Sequence, residues 1–160
     1  MPPRRGPRVE RLKAGEHNLI RELLVELYEF EQPYYADHPQ LSRPELESVV
    51  QGVPENFLGE NIVLIVRDGG EVAGFCWCVI FDPGTGLEGE VAEVFVSARH
   101  RRAGVGKALL GEAVRLFAER GVTLGYVWTR EENEAAVELY RAAGFEPNRQ
   151  LVMTWYPPGK

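Results

Sequence analysis

The chain has 160 residues, 44% hydrophobic and 26% charged, with a formal net charge of -6 at pH 7 from 24 acidic and 18 basic residues. That length suits one domain with a sizeable core, roughly 100–200 residues being usual for a domain, and the composition excludes an intrinsically disordered chain. The acidic balance argues against a broad phosphate-binding face for DNA or RNA; it either favours a cationic small substrate or serves solubility alone.

Residues 1–8, Met-Pro-Pro-Arg-Arg-Gly-Pro-Arg, are basic and turn-rich and read as a frayed tail, leading into no apolar segment of signal-peptide length. Residues 9–157 read as one domain, with residues 8–12 as a first strand. Between Glu16 and Glu31, Ile20, Leu23, Leu24, Leu27 and Phe30 recur at three- and four-residue spacing, which predicts a helix with these residues on its apolar stripe. Pro33 ends it, and a second short helix starts near Pro44, proline being favoured in a first helical turn. Asn61–Arg67 and Glu71–Phe81 are rich in Val, Ile, Phe and Trp; Asp68-Gly69-Gly70 between them predicts a hairpin.

Cys76 and Cys78, the two cysteines, share one face of the second of these strands. A disulfide between them would be strained, so both are expected as reduced core or cleft-wall thiols of a cytoplasmic protein. The histidines His17, His38 and His100 are scattered, and no metal site is expected. The longest apolar run, Ile62–Val66, is far short of the ~20 residues that span a bilayer, so no membrane association is expected.

Farther on, the pattern predicts a strand at Glu90–Val96, a helix at Gly104–Arg120, a strand at Thr123–Thr129, a helix at Asn133–Ala143 and a closing strand at Leu151–Tyr156. Val105, Leu109, Ala113, Leu116 and Phe117 form the inner face of the first of these helices. Gly144-Phe145 has the form of a helix end in which glycine turns left-handed and the next apolar residue packs back. A strand, a helix and a further strand make a right-handed parallel crossover, so the sheet is mixed and the fold α/β (α+β).

The stretch Ser97-Ala-Arg-His-Arg-Arg-Ala-Gly-Val-Gly-Lys107 joins a strand to an amphipathic helix. Unpaired amides and the dipole at a helix start favour an anion, glycines at 104 and 106 leave the backbone open, and Arg99, Arg101, Arg102 and Lys107 add positive charge. A P-loop is excluded because Arg101 and Ala108 stand where it needs glycine and Ser or Thr; the dinucleotide fingerprint fails at Leu109. Taken alone, the two glycines are better explained by a tight turn and close packing, with the arginines solvated.

The spacing Arg101-x-x-Gly104-x-Gly106, followed by Asn133-x-x-Ala136-x-x-x-Tyr140-x-x-x-Gly144-Phe145, resembles the GCN5-related N-acetyltransferase (GNAT) family from about Glu90 to Phe145. The resemblance implies a mixed central sheet of six or seven strands flanked by about four helices, with a splayed strand pair forming an acyl-CoA cleft. It implies acetyl-CoA with its pyrophosphate on the amides of Arg101, Arg102, Ala103, Gly104, Val105, Gly106 and Lys107. The pantetheine arm would lie along Val94, Phe95 and Val96, with Asn133 and Ala136 also on the coenzyme side. A backbone amide at Phe95 or Val96 is the candidate oxyanion donor.

By the same resemblance Tyr140 is the general acid toward the leaving sulfur; without it, Tyr140 would read as a core aromatic on a stripe with Ala136 and Ala143. Glu93 alternates with Val91 and Phe95, which predicts a carboxylate among apolar side chains, suited to a general base; a surface carboxylate is the equal alternative, and Glu90 a weaker candidate base. The acceptor wall implied by the family falls on Tyr28, Glu31, Tyr34 and Tyr35, a mixture of rings and carboxylates that could hold a cationic amine or simply face solvent. Trp77 and Trp128 either line the same cleft or belong to the core. The expected activity is acetyl transfer to a small-molecule amine. Acetylation of protein or peptide amino groups and non-catalytic acyl-CoA binding are the alternatives, and a homodimer is left open.

Overall fold

The computed structural model describes residues 10–84 and 86–157; the expected tail at 1–8 lies outside them. Four strands form one mixed sheet in the order β1 (Gly59–Asp68), β2 (Glu71–Phe81), β3 (Glu88–Val96) and β4 (Leu124–Val127). The first two pairings are antiparallel and β3–β4 is parallel. Four α-helices accompany it: α1 (Arg21–Glu31), α2 (Arg43–Val49), α3 (Val105–Arg120) and α4 (Glu134–Ala142).

The architecture is the expected mixed α/β type, but six or seven strands are not found among the described residues. Residues 10–12 of the expected first strand are irregular, and so is the expected closing strand Leu151–Tyr156, whose Leu151, Met153 and Trp155 are exposed. Alternating apolar residues specify a strand only where an edge pairs with them and a core covers one face.

Asp68 pairs with Glu71, so Gly69-Gly70 makes a two-residue turn with Gly69 at φ 60°. The main core lies between the sheet and α3: Cys76, Cys78, Ile80 and Val91 face Leu109, Leu110, Ala113 and Phe117. Glycine on two strands lets the Phe117 ring reach the sheet, since a Cβ would lie 2.9 Å from it at Gly89 and 3.3 Å at Gly125. Both thiols are reduced and buried, with Sγ atoms 3.6 Å apart.

A second cluster joins α1 to α2, with Val25, Leu46 and Val50 buried and Leu24, Tyr28 and Leu41 packed around them. The expected stripe is corrected here: Leu23, Leu27 and Phe30 are exposed. Two sets of apolar residues at three- and four-residue spacing share this helix, and docking on α2 selects the one containing Val25. Arg21 fixes the pair by donating from Nε to Val50 O at 3.2 Å. The start of α2 is a capping box in which Ser42 N donates to Glu45 Oε2 at 2.7 Å, satisfying amides that a helix start leaves bare.

Candidate active site

Parallel pairing of β3 with β4 runs only from Glu88↔Leu124 to Val91↔Val127. β3 continues to Val96 while β4 ends at Val127, so Ala92 to Val96, including Val94, Phe95 and Val96, have no ladder partner on the β4 side. The backbone polar groups of this stretch that face the β4 side are therefore without a strand partner.

At the far end of β3, Ala98–His100 form a 3-10 turn, Arg102 adopts φ 63° and Gly104 φ 78°, and α3 begins at Val105. The first strong amide bond into the helix is Ala108 N to Gly104 O, 3.0 Å. Amides of Arg102, Ala103, Gly104, Val105, Gly106 and Lys107 make no hydrogen bond of good geometry among the described residues. These six donors lie at the positive end of the 16-residue α3, the kind of helix start that favours an anion. Arg101 differs from the rest: its amide makes a long 3.5 Å contact to Ala98 O. Its Nε donates to Val96 O at 3.2 Å and its guanidinium lies 5.7 Å from the Phe95 ring centre.

The two glycines serve different needs. Gly104 is required by its left-handed backbone, since a Cβ there would touch nothing within 4 Å. Gly106 is instead set by proximity, a Cβ lying 3.1 Å from Leu139 Cδ2 and 3.7 Å from Val96 Cγ2, so that alanine there needs a small shift of Leu139. Close packing of α3 on α4 and β3 thus accompanies the open amides.

Asn133 caps α4, its Oδ1 accepting from Ala136 N at 3.3 Å, so the side chain expected to reach a coenzyme has its oxygen occupied. The α4 end closes as expected: Gly144 has φ 96°, Phe145 N donates to Tyr140 O at 3.0 Å, and the Phe145 ring meets Tyr140 edge-on at 6.1 Å. Tyr140 is half-buried against the main core. Burial first, then the charges of Cys76 and Glu93, push its phenol above the ordinary tyrosine value. It therefore stays protonated across the neutral range, and it lies within electrostatic reach of Glu93.

Of the two readings of Glu93, the structure shows the surface carboxylate, and the shared face with Val91 is corrected. Trp77 pairs with Glu93 but Cys78 pairs with Val91, leaving Ala92 as an extra residue in β3. This bulge turns the strand over: Val91 and Val94 line the α3 side with Cys78 and Cys76. Glu93 and Phe95 stand on the opposite face, paired with Trp77 and Phe75. Glu93 is exposed, not enclosed by apolar side chains.

That opposite face carries Glu88, Glu90 and Glu93 in one row, with Tyr126 beside Glu90. Burial raises the Tyr126 phenol, followed by Glu90 and Glu88; burial also raises Tyr28, followed by Glu31 and Glu88. Tyr28 of α1 thus feels Glu88 of β3 as well as Glu31 of its own helix. Tyr34 and Tyr35 face other partners: Tyr34 contacts Phe30, and Tyr35 contacts His38 and accepts from Gln150 Nε2 at 3.3 Å. Trp77 is partly exposed and donates from Nε1 to Asn61 Oδ1 at 2.8 Å; Trp128 is exposed. Glu88 and Tyr126 are additions to the residues expected from the sequence, although the Glu88-x-Glu90 alternation on a strand is a readable signal.

No helix among the described residues is long and apolar enough to cross a membrane, and none of their side chains cluster as a metal site.

The sequence model of the acetyltransferase (GNAT) family matches residues 20–145. A mycothiol acetyltransferase of Thermobifida fusca is 34% identical over 119 residues, covering 70% of this chain and 37% of that protein. One from Nocardiopsis dassonvillei is 31% identical over 118 residues, covering 69% and 36%. The chain thus spans less than half the length of these curated relatives. Among solved structures, an aminoglycoside acetyltransferase from an uncultured soil metagenomic sample superposes with a TM-score of 0.54 at 16% identity, covering 92% of this chain and 93% of that one. Glucosamine-6-phosphate N-acetyltransferase from Arabidopsis thaliana gives 0.51 at 20% identity, covering 60% and 66%. At such identities the structures speak for the fold, while the family match over residues 20–145 establishes membership: the chain belongs to the acetyltransferase (GNAT) family.

Proposed function

We propose that this protein transfers an acetyl group from acetyl-CoA to a primary amine of a small molecule. The observation that carries the reading is the run of amides from Arg102 to Lys107 that make no hydrogen bond of good geometry among the described residues, placed where β3 leaves its parallel neighbour. The fit to a coenzyme A diphosphate is good: the donors are main-chain groups, the helix end is positive, and Arg102 and Lys107 are exposed beside them. The unpaired edge of Val94, Phe95 and Val96 suits the amide groups of a pantetheine arm, which can add to a free strand edge.

Transfer to an amine requires a neutral nucleophile and a proton for the departing thiolate. Tyr140 is suited to supply that proton: a phenol carries its proton at neutral pH, and burial raises it further. Glu93, exposed and within electrostatic reach of Tyr140, is placed to take a proton from an ammonium, directly or through water. Glu88, Glu90 and the ring of Tyr126 make an acidic and aromatic surface on the same sheet face, with Tyr28 within electrostatic reach of Glu88; such a surface attracts a cation by charge and by ring contact. The small-molecule amine also accords with the relatives, which are mycothiol acetyltransferases.

Thiol release from acetyl-CoA, measured with polyamines, aminoglycosides, amino sugars and amino-terminal peptides as acceptors, tests the reading. Acceptor-dependent release with at least one small amine supports it. Release with peptides alone transfers the activity to protein amino groups, and coenzyme binding with no release from any acceptor leaves an acyl-CoA-binding module.

A further inference from the structure

Ser97, His100 and Asp68 are linked in a line. The Ser97 hydroxyl lies 2.5 Å from His100 Nδ1, and His100 Nε2 lies 3.1 Å from Asp68 Oδ2. A carboxylate only accepts, so Nε2 carries a proton and donates to Asp68; in the neutral imidazole Nδ1 then accepts from the Ser97 hydroxyl. When the ring is protonated the hydroxyl turns and accepts instead, so the link survives in either state. The His100 side chain is 14% exposed and Asp68 73% exposed, so the middle of the line is shielded and its outer end is open to water.

The line joins two parts of the chain that β2 and β3 bring together. Asp68 ends β1 beside the Gly69-Gly70 turn, and Ser97 follows β3 at the entrance to the loop of unpaired amides. Two further links hold the same entrance: Ser97 N donates to Ala73 O at 2.9 Å, and Arg99 pairs with Glu71. Arg99 and Glu71 are both exposed, so that pair is readily screened and weak. The shielded imidazole is the stiffer link. Directly beyond it the backbone passes through left-handed residues at Arg102 and Gly104, a path that an unrestrained chain leaves readily at the non-glycine position.

We infer that Asp68, His100 and Ser97 form a positioning chain that holds the entrance of the phosphate loop, so that the amides of Arg102 to Lys107 are aimed before the coenzyme arrives. The inference rests on the acetyltransferase reading. None of the three side chains touches the reacting atoms; they act on donor affinity through the backbone of residues 97–101.

Calorimetric titration with coenzyme A and steady-state kinetics with acetyl-CoA test it on the full chain. His100→Ala weakens coenzyme A binding by roughly tenfold, the loss expected from one or two net hydrogen bonds. It leaves kcat at saturating acetyl-CoA within about twofold, since ground-state binding of the donor alone has changed. His100→Asn, which keeps an acceptor near the Ser97 hydroxyl, recovers part of the affinity. Should His100→Ala fail to fold, Ser97→Ala and Asp68→Ala carry the test: each weakens binding, and the double variant loses less than the product of the single losses, because both act through one imidazole. Unchanged affinity in the single variants, strictly multiplicative losses, or a fall in kcat equal to the fall in affinity overturns the positioning chain. Failure of the wild-type protein to bind coenzyme A removes the underlying acetyltransferase reading instead.

Discussion

Gly104 separates backbone need from packing need, and its replacement can be worked from the structure. The residue sits at φ 78°, ψ 7° immediately before α3. An added Cβ would meet nothing within 4 Å, so Gly104→Ala creates no clash and its whole cost is conformational. Holding an L-residue in the left-handed region costs about 1–2 kcal/mol, which lowers the Tm of a domain this size by about 2–8 °C. Gly104→Asn costs less, because asparagine tolerates that conformation. Gly106→Ala provides the contrast: alanine regains up to about 1 kcal/mol of helix propensity, offset by a Cβ placed 3.1 Å from Leu139 Cδ2, so its melt stays close to that of the parent. Differential scanning calorimetry of the three variants, repeated with coenzyme A, reads both effects. Coenzyme A raises the Tm of the parent more than that of Gly104→Ala, whose loop can relax and turn its amides away. A Gly104→Ala protein that melts at or above the parent temperature would refute the reasoning, since the position could not then be left-handed.

Tyr140→Phe reduces kcat by about 100-fold, as loss of a general acid does. Its Tm barely moves, because the phenol makes no hydrogen bond among the described residues; an unchanged kcat would reject the acid role. Tyr28, Tyr126 and Tyr140 all have phenols raised above 10.0 by burial. Their contribution to stability is therefore complete below pH 10 and is lost as pH rises through their folded values. The fall in Tm above that pH should be shallower in Tyr140→Phe, and a fall of equal slope would contradict the burial. Gly89→Ala pushes a Cβ to 2.9 Å from the Phe117 ring and destabilises by about 1–3 kcal/mol, the usual cost of overpacking. Adding Phe117→Leu restores part of that loss, as equilibrium denaturation will show.

Local chemistry made much of this fold readable. Asp68-Gly69-Gly70 could only be a tight turn between two β-branched runs, and Gly144-Phe145 after an amphipathic segment marked the end of α4. The turn into α3 was readable because its glycines, its basic residues and a helix start coincide. What escaped depended on tertiary choices. One extra residue, Ala92, reverses the faces of β3, and no alternation pattern announces a bulge. On α1 two apolar stripes compete, and docking on α2 decides between them. Residues 151–156 have strand periodicity but pair with neither edge of the sheet and stay exposed. His100 looked like one of three scattered histidines, yet a partner 32 residues away completes its chain.

Amide chemical shifts during a coenzyme A titration test the central claim most directly, at single-residue resolution in an 18.0 kDa protein. The backbone signals of Arg102 to Lys107 should move farthest and together, following one saturation curve, with Val94 to Val96 next. Saturable binding that leaves those six signals in place would contradict the account.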